Sequence, residues 1–165
     1  MKRAIQVILV VGAMVALASL AMWGLAVWFL GPYLIWTPEG IHVSAEAPQS
    51  VAVGDSIELT VRVRNDGPTD RTLSAITIET GYLEGFSVDA VEPPFTTSER
   101  ATDYRVYRFD HPVPAGEVTP IRFALRATGQ GVGEGQSLRQ GRIEIQFEGE
   151  SRISSTTVGT AVSGQ

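Results

Sequence analysis

The stretch Ile57-Glu58-Leu59-Thr60-Val61-Arg62-Val63-Arg64 decides the fold, because apolar and polar side chains alternate along it without interruption. Successive side chains of a β-strand point to opposite faces, so this order buries one face and leaves the other in water. Asn65-Asp66-Gly67-Pro68 follows and ends the strand, since these residue types favour turns. A half-buried strand of this kind predicts an antiparallel sheet with one face on a core.

The same period of two recurs along the rest of the chain, without a helical period between the segments. The clearest later segments are 121–127 and 143–147, and weaker ones lie at 42–47, 76–79, 86–88, 104–109 and 152–158. Seven to eight short strands separated by turns predict an all-β fold, an antiparallel β-sandwich. We expect the two clearest late strands to be neighbours joined by a long flexible hairpin, with Arg122 or Arg126 facing Glu144 or Glu148.

A different pattern lies near the start, where residues 5–30 carry no charged side chain. This run exceeds the ~20 apolar residues that a helix needs to cross the hydrocarbon core of a bilayer. Lys2 and Arg3 precede it, and basic residues are retained on the cytoplasmic side. The sequence therefore predicts a single-pass protein of the cell (inner) membrane, with one transmembrane α-helix in lipid, a cytoplasmic N-terminus and a periplasmic or extracellular domain. Aromatic residues suited to the membrane interface follow the run: Trp28, Tyr33 and Trp36.

The alternative for this segment is a cleaved signal peptide, with Ala16-Leu17-Ala18 before Ser19 as the cleavage site. The chain stays apolar beyond that site, which favours an uncleaved anchor. We therefore expect four parts: a transmembrane anchor at 1–36, a linker at 37–40, the β-sandwich at 41–160 and a flexible tail at 161–165.

Composition excludes several classes of function. The formal net charge is −5, both signs are interspersed, and no basic patch is visible, so we expect no nucleic-acid binding. The sequence has no cysteine, which rules out disulfides, thiolate metal sites and cysteine nucleophiles within it.

Residues Val51–Pro68 carry a family resemblance. They combine a Gly54-Asp55 turn, the alternating strand and the turn that begins at Asn65. In this order they resemble the opening of bacterial immunoglobulin-like repeats, in particular the cell-adhesion-related domain found in bacteria. Pro114-Ala115-Gly116-Glu117 before the next strand is a second similarity. The resemblance implies an immunoglobulin-like sandwich that acts as a spacer or binding module, and it implies no catalytic residues.

Two segments are candidates for contact with a protein partner. Tyr82, Phe86 and Phe95 form an aromatic cluster near Pro93-Pro94, and exposed aromatic side chains often anchor protein contacts. The alternative is that Phe86 and Phe95 cap the core and only Tyr82 lies outside. The second candidate is a recognition loop rich in glycine, since binding residues concentrate on loops; its glycines are Gly129, Gly131, Gly133 and Gly135.

Catalytic and metal-binding patterns are weak. His42 and His111 are the only histidines, and no Gly-x-Ser-x-Gly nucleophile turn accompanies them, so we expect His42 to be exposed on a first strand and His111 to lie in a turn. Asn65, Asp66 and Asp70 offer oxygen ligands for calcium, but the spacing lacks a distal bidentate glutamate and favours a hairpin turn. We expect no catalytic residue, cofactor or metal.

Three functions fit these observations. The first is a membrane-anchored extracytoplasmic interaction module that binds a protein partner without catalysis. The second is a structural accessory subunit of a membrane or cell-envelope complex, held through a helix face containing Gly12, Ala16 and Gly24. The third, a carbohydrate-binding module, needs a row of aromatic side chains on one sheet face, whereas Tyr104 and Tyr107 lie on opposite faces of their strand.

Overall fold

Ten β-strands and one short helix form the part of the chain that this computed structural model describes, residues 40–130, 135–151 and 153–164. The strands are β1 Ile41–Glu46, β2 Ser50–Ala52, β3 Ser56–Asn65, β4 Arg71–Glu79, β5 Phe86–Glu92, β6 Thr97–Arg100, β7 Tyr104–Val113, β8 Val118–Ala127, β9 Gln136–Phe147 and β10 Ile153–Ser163. The helix α1 is a single turn, Thr80–Leu83, between β4 and β5.

The strands form two sheets. The four-stranded sheet has the order β1-β3-β8-β5, and the six-stranded sheet has the order β2-β10-β9-β4-β7-β6. Every described pairing is antiparallel except that of β2 with β10. The predicted β-sandwich is confirmed, but the strand count of seven to eight is wrong for the described residues. The two unexpected strands, β2 and β6, have three and four residues, too few to show an alternating pattern.

The core lies between the sheets and consists of the apolar positions that the alternation indicated. Leu59, Val61 and Val63 of β3 are fully buried, and the intervening Arg62 and Arg64 are exposed. The same holds for β8 and β9, whose alternate side chains meet across the sandwich. Burying large apolar side chains stabilises a fold by roughly 1.5–3 kcal/mol each, so this face-to-face packing is the main source of stability.

Most connections cross from one sheet to the other, and this overturns one expectation. The strands β8 and β9 belong to different sheets, so the connection around Gly129–Gly135 is a crossover and the predicted hairpin is wrong. Its predicted ion pairs are wrong as well: Arg122 lies 3.7 Å from Glu58, and Arg126 lies 3.1 Å from Asp89. Alternation specifies which face of a strand is buried, but it does not specify which strand lies beside it.

The crossover from β3 to β4 replaces the predicted hairpin turn at Asn65. The buried Asn65 amide donates to the carbonyls of Thr69 and Val113 at 2.9 and 3.0 Å, and its Oδ1 accepts from the Gly67 N–H. This side chain therefore satisfies the backbone of the bend from within the core. His42 is exposed on β1 as predicted, whereas His111 lies within β7 and not in a turn.

The predicted flexible tail at 161–165 is wrong over its described residues. Strand β10 continues to Ser163, where Ala161 pairs with Leu138 on one side and with Ser50 on the other. The small and polar composition suggested fraying, but backbone pairing with two neighbouring strands orders the segment regardless of its side chains.

The predicted anchor at residues 5–30 and the interface residues Trp28, Tyr33 and Trp36 lie outside the described residues, as does most of the linker at 37–40. Among the residues that the structure describes, no helix has the length and apolar character of a membrane span.

Candidate interaction site at the β6–β7 hairpin

Strand β6 lies at the end of the six-stranded sheet, so one of its sides has no neighbouring strand in the described structure. Phe95 precedes this strand and is 37% exposed. The Phe95 ring packs edge-on against Tyr107 of β7, with 5.4 Å between the ring centroids. Tyr107 is in turn buried edge-on against Phe123 of the opposite sheet, at 5.2 Å. A half-exposed aromatic ring on a rigid support, beside an open strand edge, is a surface that can contact a partner.

A cleft of about 150 Å³ lies at the other end of β6, between α1 and the turn that joins β6 to β7. The Thr80 N–H donates to the Asp103 carbonyl at 2.8 Å and holds this turn against the start of α1. The turn itself is closed by the Ala101 N–H, which donates to the Tyr104 carbonyl at 2.8 Å. We call this the arginine cleft; its lining residues are Thr80, Leu83, Glu84, Phe86, Arg100, Arg105 and Gln130.

The two arginines of the cleft are directly opposite each other in the antiparallel register of β6 and β7. Cross-strand partners project from the same face, so two positive charges lie side by side, an arrangement that destabilises a sheet. Among the described residues, neither arginine has an acidic side chain within ion-pair distance, although Arg105 lies 5.5 Å from the Tyr107 ring centroid. All other described arginines contact an acidic side chain within 4.0 Å: Arg62, Arg64, Arg71, Arg108, Arg122, Arg126, Arg139 and Arg142.

Arg139 of β9 organises the opposite wall of the cleft. Its guanidinium donates to the Gln130 carbonyl and lies 4.0 Å from the Glu84 carboxylate. Its side chain also packs over Gly85, where a Cβ would come within 3.0 Å of the Arg139 Nε. Glu84 follows α1 and Gln130 begins the glycine-rich connection, and both residues line the cleft. The largely buried Arg139 therefore links these two parts of the cleft wall.

Tyr82 lies behind the cleft and not on its surface. It is 0% exposed, its ring packs tilted against Phe86 with 5.3 Å between the centroids, and its hydroxyl is hydrogen-bonded to that of Thr160 at 3.2 Å. The expectation that Tyr82 is the exposed member of the aromatic cluster is therefore wrong, since the apolar face of α1 packs on β9. Burial raises the pKa of the Tyr82 phenol, and the Thr160 hydrogen bond lowers it by less. Burial likewise raises the pKa of Tyr107, against a smaller lowering by Arg105.

The predicted recognition loop is described only at its ends. Gly129 and Gly135 both have positive φ, 73° and 120°, and Gly131 and Gly133 lie outside the described residues. A Cβ at Gly129 would come within 3.1 Å of Val53, so this position is constrained by packing as well as by its backbone angle. The loop begins beside the arginine cleft, because Gln130 lines the cleft.

Sequence reasoning did not identify Arg100, Arg105, Thr80 and Glu84. The sequence does contain an indication for Arg100 and Arg105. Both flank the segment Ala101–Tyr104, and a hairpin turn there places them opposite each other. The approach of α1 to this turn is a tertiary contact that the sequence pattern does not encode.

No protein-family model matches the chain, and no curated protein matches it. Among solved structures, a cohesin module from a family 33 glycoside hydrolase of Clostridium perfringens has a TM-score of 0.53 at 10% identity, covering 76% of this chain and 98% of that chain. A candidate membrane-anchored protein from Corynebacterium diphtheriae has a TM-score of 0.49 at 10% identity, covering 79% of this chain and 37% of that chain. The first likeness shows the fold alone: the described residues form a β-sandwich similar to that of this module.

Proposed function

We propose that this chain is a membrane-anchored extracytoplasmic interaction module that binds a protein partner at the open edge of its six-stranded sheet, without catalysis. The observation that carries the proposal is Phe95, a half-exposed ring supported by Tyr107 just before β6, whose outer side has no neighbouring strand in the described structure. Main-chain groups of an edge strand offer hydrogen bonds to a partner, and an aromatic anchor adds affinity and position.

The anchor part of the proposal rests on the sequence. Residues 5–30 carry no charge and follow Lys2 and Arg3, which orients the N-terminus to the cytoplasm and the sandwich to the outer side. A reporter enzyme that folds only outside the cytoplasm, fused after Gln165, should be active. Activity of a cytoplasm-only reporter at the same position would contradict the orientation.

The resemblance of Val51–Pro68 to the cell-adhesion-related domain supports a binding role and not an enzymatic one. A β-sandwich alone does not define a function, because this architecture carries many. The proposal therefore depends on the surface at β6, and a direct test must probe that surface.

The test is site-specific photocross-linking of the full chain in intact membranes. A photoreactive phenylalanine analogue replaces Phe95 in one variant and Leu138 in a matched control; Leu138 is 62% exposed on the same sheet. We expect a discrete protein adduct from position 95 and none from position 138. Adducts from both positions, or from 138 alone, would overturn the assignment of the surface.

A second pair of variants distinguishes the interaction module from the alternative, an accessory subunit held through its helix. Gly12→Leu with Gly24→Leu alters the predicted helix face, and Phe95→Ser alters the sandwich edge. If the partner is held through the sandwich, co-purification is lost in Phe95→Ser and retained in the helix variant. The reverse result favours attachment through the helix.

A further inference from the structure

The arginine cleft is the one place in the described structure where arginine charge is left without an acidic partner. Arg100 is exposed and Arg105 half-buried, and they are cross-strand partners. A sheet gains nothing in stability from two adjacent like charges, whereas an anion bound between them would remove the repulsion and gain charge-assisted hydrogen bonds. We infer that the cleft binds one carboxylate, supplied by an aspartate or glutamate side chain of the protein partner.

The charge of the lining favours an anion. Arg100 and Arg105 outnumber Glu84, the one acidic side chain of the lining. The Glu84 carboxylate lies 4.0 Å from the Arg139 guanidinium at the opposite wall, so it is already paired and leaves the two cleft arginines to an external anion. Because guanidinium groups bind carboxylates and phosphates alike, the choice between these anions rests on the shape of the lining.

The shape of the lining favours a carboxylate that carries methylene groups. Leu83 and Phe86 contribute apolar wall beside the guanidinium groups, and the volume of about 150 Å³ accommodates a carboxylate with a short aliphatic stem. Guanidinium groups bind carboxylates in a planar, two-pronged geometry, and an acidic side chain fits an apolar wall better than a fully hydrated inorganic anion does.

That the carboxylate comes from a protein partner rests on the proposed function, and the position of the cleft supports it. Strand β6 begins at Thr97, two residues after Phe95, and ends at Arg100, so its open edge leads from the aromatic ring to the cleft. A peptide strand that pairs with β6 would pass both, with the ring contacting an apolar residue and the cleft contacting an acidic residue a few positions away.

The first test measures the cleft without a partner. The full chain in detergent micelles, labelled at the arginine side chains, is titrated with N-acetylglutamate α-amide, whose one charge is the side-chain carboxylate, with the neutral N-acetylglutamine α-amide and with inorganic phosphate. We expect saturable shifts of the Arg100 and Arg105 Nε–Hε signals with N-acetylglutamate α-amide and none with the glutamine analogue, while the paired Arg62 and Arg126 serve as internal controls. Equal shifts at the control arginines, or tighter binding of phosphate, would overturn the carboxylate assignment.

Arginine variants sharpen this titration. Arg100→Gln should weaken the binding of N-acetylglutamate α-amide about tenfold, and Arg100→Lys should weaken it less, because lysine keeps the charge and loses the two-pronged geometry. Arg62→Gln, on the other sheet, should leave the affinity unchanged. Unchanged affinity in Arg100→Gln would place the binding elsewhere.

The second test links the cleft to the partner. In the photocross-linking variant at position 95, we expect the added change Arg100→Gln to reduce the adduct yield about tenfold, and Arg62→Gln to leave it unchanged. If carboxylate titration succeeds and the yield does not change in Arg100→Gln, the cleft does not contact the partner. If no adduct forms in any variant while the titration still succeeds, the proposed function fails and the carboxylate site stands.

Discussion

Arginines on the outer face of the four-stranded sheet have acidic partners, whereas the two arginines of the arginine cleft have none among the described residues. On the four-stranded sheet, Arg62 lies 2.6 Å from Glu46 and Arg126 lies 3.1 Å from Asp89. At the hairpin, Arg100 and Arg105 oppose each other with no acidic partner among the described residues. Both regions are exposed strand surface, so solvent alone does not explain the contrast. A surface that matches its charges elsewhere and fails to do so at one cleft indicates a site for an external anion.

The largest expected effect comes from the residue that joins the two regions. Phe123 of β8 is fully buried against Tyr107, which also supports Phe95 and lies near Arg105. Phe123→Ala should lower the free energy of unfolding by about 3–5 kcal/mol, because it removes apolar burial and leaves a cavity. Phe95→Ala, which truncates the other ring on the same tyrosine, should cost under about 1 kcal/mol because the site is partly exposed. Urea unfolding of both variants measures the difference.

Equal costs for the two phenylalanines would contradict this assignment, because Phe95 would then be a core residue and not a surface one. Co-purification of the partner should rank the same two variants in the opposite order to stability. Phe95→Ala should reduce co-purification although it costs under about 1 kcal/mol in stability.

Gly141→Ala should disturb the cleft side and leave the four-stranded sheet intact. A Cβ at Gly141 would lie 2.7 Å from the Tyr82 Cβ, closer than such atoms approach, so Tyr82 and α1 must shift. We expect a loss of about 1–3 kcal/mol in urea unfolding, together with changed signals at Arg105 and unchanged ones at Arg126. Gly159→Ala is the control, because its Cβ would meet the flexible Gln140 side chain at 3.3 Å. A similar loss in both variants would show that the glycines matter through backbone freedom and not through contact with Tyr82.

The regularly alternating strands β3 and β8 could be predicted from the sequence because one buried face enforces a period of two, whereas the longer β9 and β10 were predicted over only part of their length. Residues 57–64 alternate in sequence, and the structure follows the alternation from Val61 to Arg64, while Ile57 and Thr60 are both half-buried. The strands that were missed, β2 and β6, are three and four residues long, and their pairing depends on neighbours distant in sequence. The prediction that β8 and β9 are neighbours was wrong for a related reason. Both strands bury one apolar face, but they do so from opposite sheets.

The candidate site could be predicted in part. Phe95 was expected either to be an exposed contact residue or to cap the core with Phe86, and in the structure it is 37% exposed while Phe86 is buried. Tyr82 was misplaced because a tyrosine hydroxyl suggests the surface, whereas here it has a buried partner in Thr160. The arginine cleft needs both the turn that opposes Arg100 to Arg105 and the packing of α1 against that turn. Only the first of these is local in sequence.

The two buried tyrosines behind the cleft should respond in opposite directions to loss of the hydroxyl. Tyr82→Phe removes a hydrogen bond and leaves the buried Thr160 hydroxyl unpaired, so it should cost about 1 kcal/mol. Tyr107→Phe removes a buried hydroxyl that has no partner within the described structure, so stability should stay the same or rise. Thermal unfolding compares them, and Tyr82→Phe combined with Thr160→Val should recover part of the loss. A destabilised Tyr107→Phe would show that its hydroxyl has a partner.

The same tyrosines predict a loss of stability in alkali. Burial raises both pKa values in the folded state, so each phenol stays protonated there while an unfolded tyrosine ionises near pH 10. The stability that the two protonated tyrosines contribute is therefore fully present below about pH 10 and falls as pH rises above it. Urea midpoints between pH 8 and pH 11 should show this fall, and Tyr107→Phe should make it shallower. A midpoint that stays constant to pH 11 would contradict the raised pKa values.

The smallest expected effect tests the opening contrast most directly, because the same substitution should have opposite signs in the two regions. Arg62→Gln removes an exposed ion pair with Glu46 and should cost no more than about 1 kcal/mol. Arg100→Gln removes one of two opposed charges and no described ion pair, so it should stabilise the fold by on the order of 0.5 kcal/mol. Both differences should shrink in 1 M salt, since screening acts on repulsion and attraction alike. If Arg100→Gln destabilises the chain, an acidic group already neutralises Arg100, and the cleft is not a free site for the carboxylate of a partner.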